Sequence, residues 1–138
     1  MGECVLCDVA ARDVHGRIIH ETRETLAFLD PDPVAPGHTV VAPKDHYARL
    51  DDLPDDQTRD LFATVHALVG RVEDAVDADA LTVGIDDGEA AGQDVLHLHV
   101  ELIPRFDGDG GGPIHGVAGG RPDLSDEELD DIAGRIEG

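Results

Sequence analysis

The sequence predicts a single domain of mixed helix and sheet, on three observations. Five short stretches have the composition and spacing of β-strands. One long stretch repeats its apolar residues at intervals of three and four. The 138 residues suffice for one compact core and leave no room for a second.

Cys4 and Cys7 are the only cysteines and form Cys-x-x-Cys at the start of the chain. Such a pair reads as a metal clip, a redox pair or two ordinary reduced thiols. A redox motif follows a strand and opens a helix, a context not visible here. A tetrahedral zinc site needs two further ligands from elsewhere. Arg17 to Glu21 and Thr25 to Leu29 read as two strands of a hairpin with a polar turn at Glu21 to Glu24. The run from Asp30 to Gly37 carries three prolines and a glycine in eight residues and interrupts regular structure. Asp30, at a strand end, either accepts hydrogen bonds from a ribose diol or caps the turn.

His38 to Pro43 resumes as a strand, and Leu50 to Pro54 is a connector. Asp55 and Asp56 suit a helix N-terminus. From there to Val76 the positions Leu61, Phe62, Val65, Leu68, Val69, Val72 and Val76 trace an amphipathic stripe that is packing rather than chemistry. His66 falls off that stripe and faces solvent. Leu81 to Ile85 is a fourth strand. In the loop Asp86 to Gln93, Gly88 and Gly92 permit positive φ, so that successive N–H groups can point at a phosphate.

The fifth strand, Val95 to Ile103, carries the chemistry. Its period of two sends Val95, His97, His99 and Glu101 to one face and Leu96, Leu98, Val100 and Leu102 to the core. Alternate residues stand roughly 6–7 Å apart, so two imidazoles and a carboxylate form a row. The rival readings are half-buried polar residues, or two rings that jointly ligate a metal. Pro104 has no N–H to donate and is expected to end the ladder. Phe106 to Pro122 is a glycine-rich loop in which His115 has no assigned role. Ser125 to Glu128 matches a capping box, with Leu129, Ile132 and Ile136 spacing a short C-terminal helix that packs on the body or a partner.

The formal net charge of −21, with Lys44 the sole lysine, excludes a broad nucleic-acid or anionic-membrane surface, because phosphate backbones need clustered cations. No signal peptide or membrane span is visible, so a cytoplasmic protein is expected.

The run Gly92-Gln93-x-Val95-x-His97-x-His99-x-x-x-Ile103-Pro104-Arg105 resembles the signature of the histidine triad (HIT) family of nucleotide hydrolases and transferases. Cys4-x-x-Cys7, Leu26 to Asp30, Pro36-Gly-His38, Pro43-Lys-Asp-His46 and the Asp86 to Gln93 loop fall in matching order, so the resemblance covers about Cys4 to Arg105. It implies an α+β fold: a five-stranded antiparallel sheet with one long helix, and here a short C-terminal helix. Residues 1–106 would form the HIT-like domain, with 107–138 extending it. A homodimer with continuous sheets is also implied.

On the same resemblance His99 is the nucleophile at the α-phosphate of a nucleoside phosphate substrate. A structural zinc would be held by Cys4, Cys7, His46 and His97. Asp30 would hold the ribose, and Gln93 with its loop, including Asp86 and Gly92, would contact the phosphate beside Val95. Glu101 departs from the histidine or glutamine usual at the third triad position, and Asp86 from an asparagine. Both add negative charge near the phosphate. Burial and repulsion are expected to raise the Glu101 pKa, making it a general acid; otherwise it orients a ring or a water. The rivals are a nucleotide-binding or regulatory module without turnover, a metal-dependent hydrolase using both rings, and a structural zinc protein.

An acidic, lysine-poor surface repels itself unless screened, which predicts a protein of a salt-rich cytoplasm. The unfolding midpoint is expected to rise between low salt and about 1 M KCl; a midpoint that stays level would contradict this.

Overall fold

The computed structural model describes residues 4–13 and 15–138. The elements are α1 (Val5–Ala10), β1 (Ile18–Glu21), β2 (Thr25–Leu29), β3 (Thr39–Pro43), α2 (Asp55–Val76), β4 (Ala80–Gly84), β5 (Val100–Arg105) and α3 (Asp126–Glu137). The strands form one antiparallel sheet in the order β1-β2-β3-β5-β4. The expected hairpin, long helix and five strands are all present. Among the described residues no helix is long and apolar enough to cross a membrane.

Two layers of apolar side chains sandwich the sheet. Leu61, Val65, Leu68 and Val72 of α2, spaced at four, three and four, meet Ala27, Val41, Val100 and Leu102 on one face. On the other face Leu26, Phe28, Val40 and Ala42 meet Leu6 and Val9 of α1. β2 and β3 are therefore covered on both sides, and every residue of β3 is buried. β5 keeps a strict alternation instead: Val100, Leu102 and Pro104 are buried, while Glu101, Ile103 and Arg105 are only half-buried. Val40 lies opposite Glu101 in the register, which puts Glu101 on the α1 face.

The central strand begins later than its alternation predicts, at Val100 rather than Val95, and the cause is Pro43. Continuing the β3–β5 register would place Pro43 opposite Leu98, but Pro43 has no N–H for a ladder. Its carbonyl accepts from the His97 ring instead, at 2.8 Å, and the Leu98 N–H turns to the Tyr47 carbonyl at 2.7 Å. Residues 95–99 leave the sheet there, so Leu96 is 52% exposed rather than in the core. Pro104, expected to end the strand, sits inside it opposite Leu81, beyond the last β3 pair at Thr39 and Leu102, where β3 offers no partner for a missing N–H.

Two further expectations change. Phe62 is 41% exposed, and Thr64 takes the buried place, its hydroxyl donating to the Asp60 carbonyl at 2.8 Å. The helix α1 follows directly from Cys4, whose sulfur accepts from the Cys7 N–H at 3.3 Å, an N-cap that no Ser, Thr, Asp or Asn announces. The capping box at α3 forms as expected, with Ser125 and Glu128 each accepting from the other's backbone N–H at 3.1 Å. No residue of α3 is buried.

Truncating Leu61, which is fully buried, to Ala is expected to cost about 2–5 kcal/mol, whereas Phe62→Ala is expected to cost less than about 1 kcal/mol. Urea denaturation checks the pair; equal losses would contradict the assignment of the stripe.

Candidate active site

The segment that peels away from the sheet at 95–99 brings four metal-ligating side chains together. Cys4 Sγ lies 3.2 Å from His97 Nδ1, Cys7 Sγ 3.4 Å from the same nitrogen, and Cys7 Sγ 3.3 Å from His46 Nδ1. All four ligand atoms fall within 4.8 Å of one another, the spacing of the corners of a tetrahedral thiolate–imidazole site. Since a carbonyl only accepts, His97 Nε2 must carry the proton it gives to Pro43, and Nδ1 is left with the lone pair that faces the sulfurs. Burial lowers the His97 pKa and so favours the neutral ring a metal would need. Burial and the neighbouring Cys4 push the Cys7 thiol up to about 11. The donor set of two sulfurs and two imidazole nitrogens fits zinc.

His99 follows two residues later on the same segment. Its Nδ1 is 2.8 Å from the His97 carbonyl and must donate to it, so Nε2 carries the free lone pair. The ring borders a cavity of about 320 Å³ on the α1 face of the sheet, whose walls include Leu6, Val9, Phe28, Val40 and Val95, with Asp30, Asp94, Glu101, Arg17 and His15 as its other polar groups. Gly16 closes the wall: a Cβ there would come within 2.9 Å of Val9 Cγ1.

Asp30 caps its turn and borders the cavity: Oδ1 accepts from the Asp32 N–H at 2.9 Å. His38 was given no role by sequence reasoning, yet it is buried and joins the two carboxylates. Its Nε2 is 2.8 Å from Glu101 Oε1 and 3.7 Å from Asp30 Oδ2. The signal was the strand register, which sets the start of β3 against Glu101, and no single-sequence pattern announces it. The Val34 N–H donates to His38 Nδ1 at 3.1 Å, so the ring's own proton is on Nε2 and is given to Glu101.

That bond corrects the expectation for Glu101. The hydrogen bond from His38 holds its carboxyl below the usual range and outweighs burial. The same bond, with Asp30 nearby, raises His38. Glu101 is an acceptor rather than a protonated acid.

The 86–93 loop is also corrected. Gly88 and Gly92 do adopt positive φ, 107° and 101°. However, the N–H groups of Ala91, Gly92 and Gln93 bond within the loop, and that of Gly88 donates to Gln93 Oε1 at 2.8 Å. The Gln93 amide donates to the Ala48 and Val95 carbonyls at 2.8 and 3.0 Å. Its bonds are those of a buried clamp rather than of a phosphate donor. Gly92 and Gln93 do not border the His99 cavity, whereas Val95 does. Asp86 borders a second cleft, of about 390 Å³, that shares Glu101 as a wall.

Residues 11–108 match the family model of the HIT domain. The chain is 34% identical over 104 residues to adenosine 5′-monophosphoramidase of Saccharomyces cerevisiae, covering 75% of this chain and 63% of that protein. It is 38% identical over 92 residues to the asymmetrical bis(5′-nucleosyl)-tetraphosphatase of Schizosaccharomyces pombe, covering 67% of this chain and half of that relative. Among solved structures, a HIT family member from Bacillus subtilis superposes with a TM-score of 0.86 at 31% identity, covering 97% of this chain and 94% of that one. A zinc-bound histidine triad family protein from Mycobacterium smegmatis superposes with a TM-score of 0.74 at 28% identity, covering 99% and 96%.

Because Glu101 is held below its ordinary 4.5, its pairing adds stability above that pH and loses it as pH falls through the lower folded value. Glu101→Gln is therefore expected to flatten this part of the acid limb in urea titrations between about pH 3 and 6. An unchanged limb would show the pair to be absent.

Proposed function

We propose, from the premise that the chain belongs to the HIT domain family, that it is a nucleotide hydrolase or nucleotidyltransferase acting at the α-phosphate of nucleoside phosphate derivatives through a nucleotidyl-histidine on His99. The observation that carries the reading is the bond from His99 Nδ1 to the His97 carbonyl, which commits that nitrogen and makes Nε2 the one available for attack, in a ring at the wall of a largely apolar cavity. The cavity lies within the roughly 300–1,000 Å³ span of small-molecule sites. The names of the phosphoramidase and tetraphosphatase relatives supply the substrate class.

In this reading the base lies against Leu6, Val9 and Phe28, and the ribose diol bonds to the Asp30 carboxylate. His99 Nε2 displaces the leaving group, and water or another acceptor then releases the nucleotide. Cys4, Cys7, His46 and His97 would hold a structural zinc, whose four positions leave none open for substrate. That clip would tie the start of α1 to the strap before β5, beneath the nucleophile. A homodimer would form along the free edge of β4, where Val83 is exposed.

Mass spectrometry of protein quenched during incubation with a nucleoside phosphoramidate or dinucleotide tests the chemistry. The native chain is expected to carry a nucleotidyl adduct that His99→Ala lacks, with turnover lower by at least about a thousand-fold. Binding without an adduct would contradict the reading. For the metal, Cys7→Ala is expected to abolish the equimolar zinc that His99→Ala retains, as measured by atomic emission.

A further inference from the structure

The helix α1 serves two spaces at once. Leu6 and Val9, three residues apart, form wall of the His99 cavity, while Cys4, Cys7 and Ala11, at intervals of three and four, line an open cleft beside it. The strap repeats the arrangement: Val95 and His99 border the cavity, and His97 reaches the cysteines. Val5, Asp94 and Val95 belong to both spaces, so the same side chains wall the two. Beyond the packing of Leu6 and Val9 on β2 and β3, the ends of the helix are fastened differently. The C-terminal end is held by the ion pair of Arg12 with Glu21 at 2.7 Å and by the close passage of Gly16 at Val9. The N-terminal end meets the strap through sulfur–nitrogen contacts of 3.2 and 3.4 Å, a link that a thiol makes weakly and a shared metal makes strongly. The clip also faces water. His46 is exposed and Cys7 half-buried, and both border the cleft, of about 900 Å³, that also holds Asp8, Asp13 and Asp94; His97 is fully buried. Those carboxylates draw a divalent cation to ligands it can reach without the fold opening.

Resting on the reading of the His99 cavity as a nucleotide site, we propose that Cys4, Cys7, His46 and His97 form a regulatory zinc site: zinc loads and leaves through the open cleft, and its occupancy sets the nucleotide affinity of the cavity through α1 and the strap. Zinc draws the two cysteines onto His97, and so fixes Leu6, Val9 and Val95 where they wall the cavity. A nucleotide seated against those walls favours the same placement. Each ligand therefore tightens the other by one common factor, as linkage requires. A staple closed on every side would exchange only when the chain opens, whereas this one presents His46 and part of Cys7 to solvent.

The test strips the full chain by dialysis against a strong chelator without denaturant, and divides it between a metal-free and a zinc-loaded sample. Calorimetric titration with AMP is expected to show binding at least about ten-fold weaker in the metal-free sample, which keeps its far-UV circular dichroism and its cooperative unfolding. In reverse, competition against a chromophoric chelator is expected to show zinc held tighter by the same factor when AMP is saturating. His46→Ala, a change at the exposed ligand, is expected to lower zinc affinity and, at limiting zinc, to bring AMP affinity down to the metal-free value, with recovery as zinc is raised. AMP affinity that does not follow zinc occupancy would overturn the proposal and leave the nucleotide reading standing. A chain that takes up no zinc, or releases it only on unfolding, would overturn it as well. A zinc-loaded chain that binds no AMP would defeat the nucleotide reading and this proposal with it.

Discussion

His97 is bound in three directions, and the site depends on all three. Its Nε2 proton is committed to the Pro43 carbonyl, its Nδ1 lone pair faces the two cysteine sulfurs, and its own carbonyl takes the proton of His99 Nδ1. Each bond settles the next. The proline opposite the strap ends the β3 ladder and offers a carbonyl; that carbonyl fixes the His97 tautomer; the backbone held there fixes the tautomer of His99. Full burial of the ring makes every one of these bonds costly to leave unmade.

Around that framework the charge is unusual for a site that would take an anion. Asp30, Asp94 and Glu101 line the His99 cavity together with Arg17 and His15, and the amides of Gly88, Ala91, Gly92 and Gln93 are bonded inward. The acidic character of the whole chain thus extends into its cavity. What the cavity offers is mainly apolar wall and the His99 ring, rather than a nest of backbone donors.

Local pattern was legible where it depends on local chemistry. The α2 stripe, the hairpin and the α3 capping box all follow from spacing and cap residues, and each appears close to its expected bounds. The row of His97, His99 and Glu101 was legible as a constellation but not as a strand, because the residue that ends the pairing, Pro43, lies 54 positions away. His38 stayed silent for a similar reason: its partnership with Glu101 exists only through the register of β3 on β5. Gln93 misled in the opposite sense. A glutamine beside a glycine loop looks like a donor for a ligand, and only the placement of Ala48 and Val95 shows its amide already engaged.

The proposed role of His99 depends on the backbone bond at Nδ1, which leaves Nε2 as the nitrogen that would attack. Long-range nitrogen–proton correlation spectra of the histidine-labelled protein at about pH 8 test it directly, because the two ring nitrogens report protonation separately. A protonated Nδ1 with a pyridine-like Nε2 at His99 is the outcome the geometry requires. A proton on Nε2, or a metal-shifted resonance from either nitrogen of that ring, would contradict it.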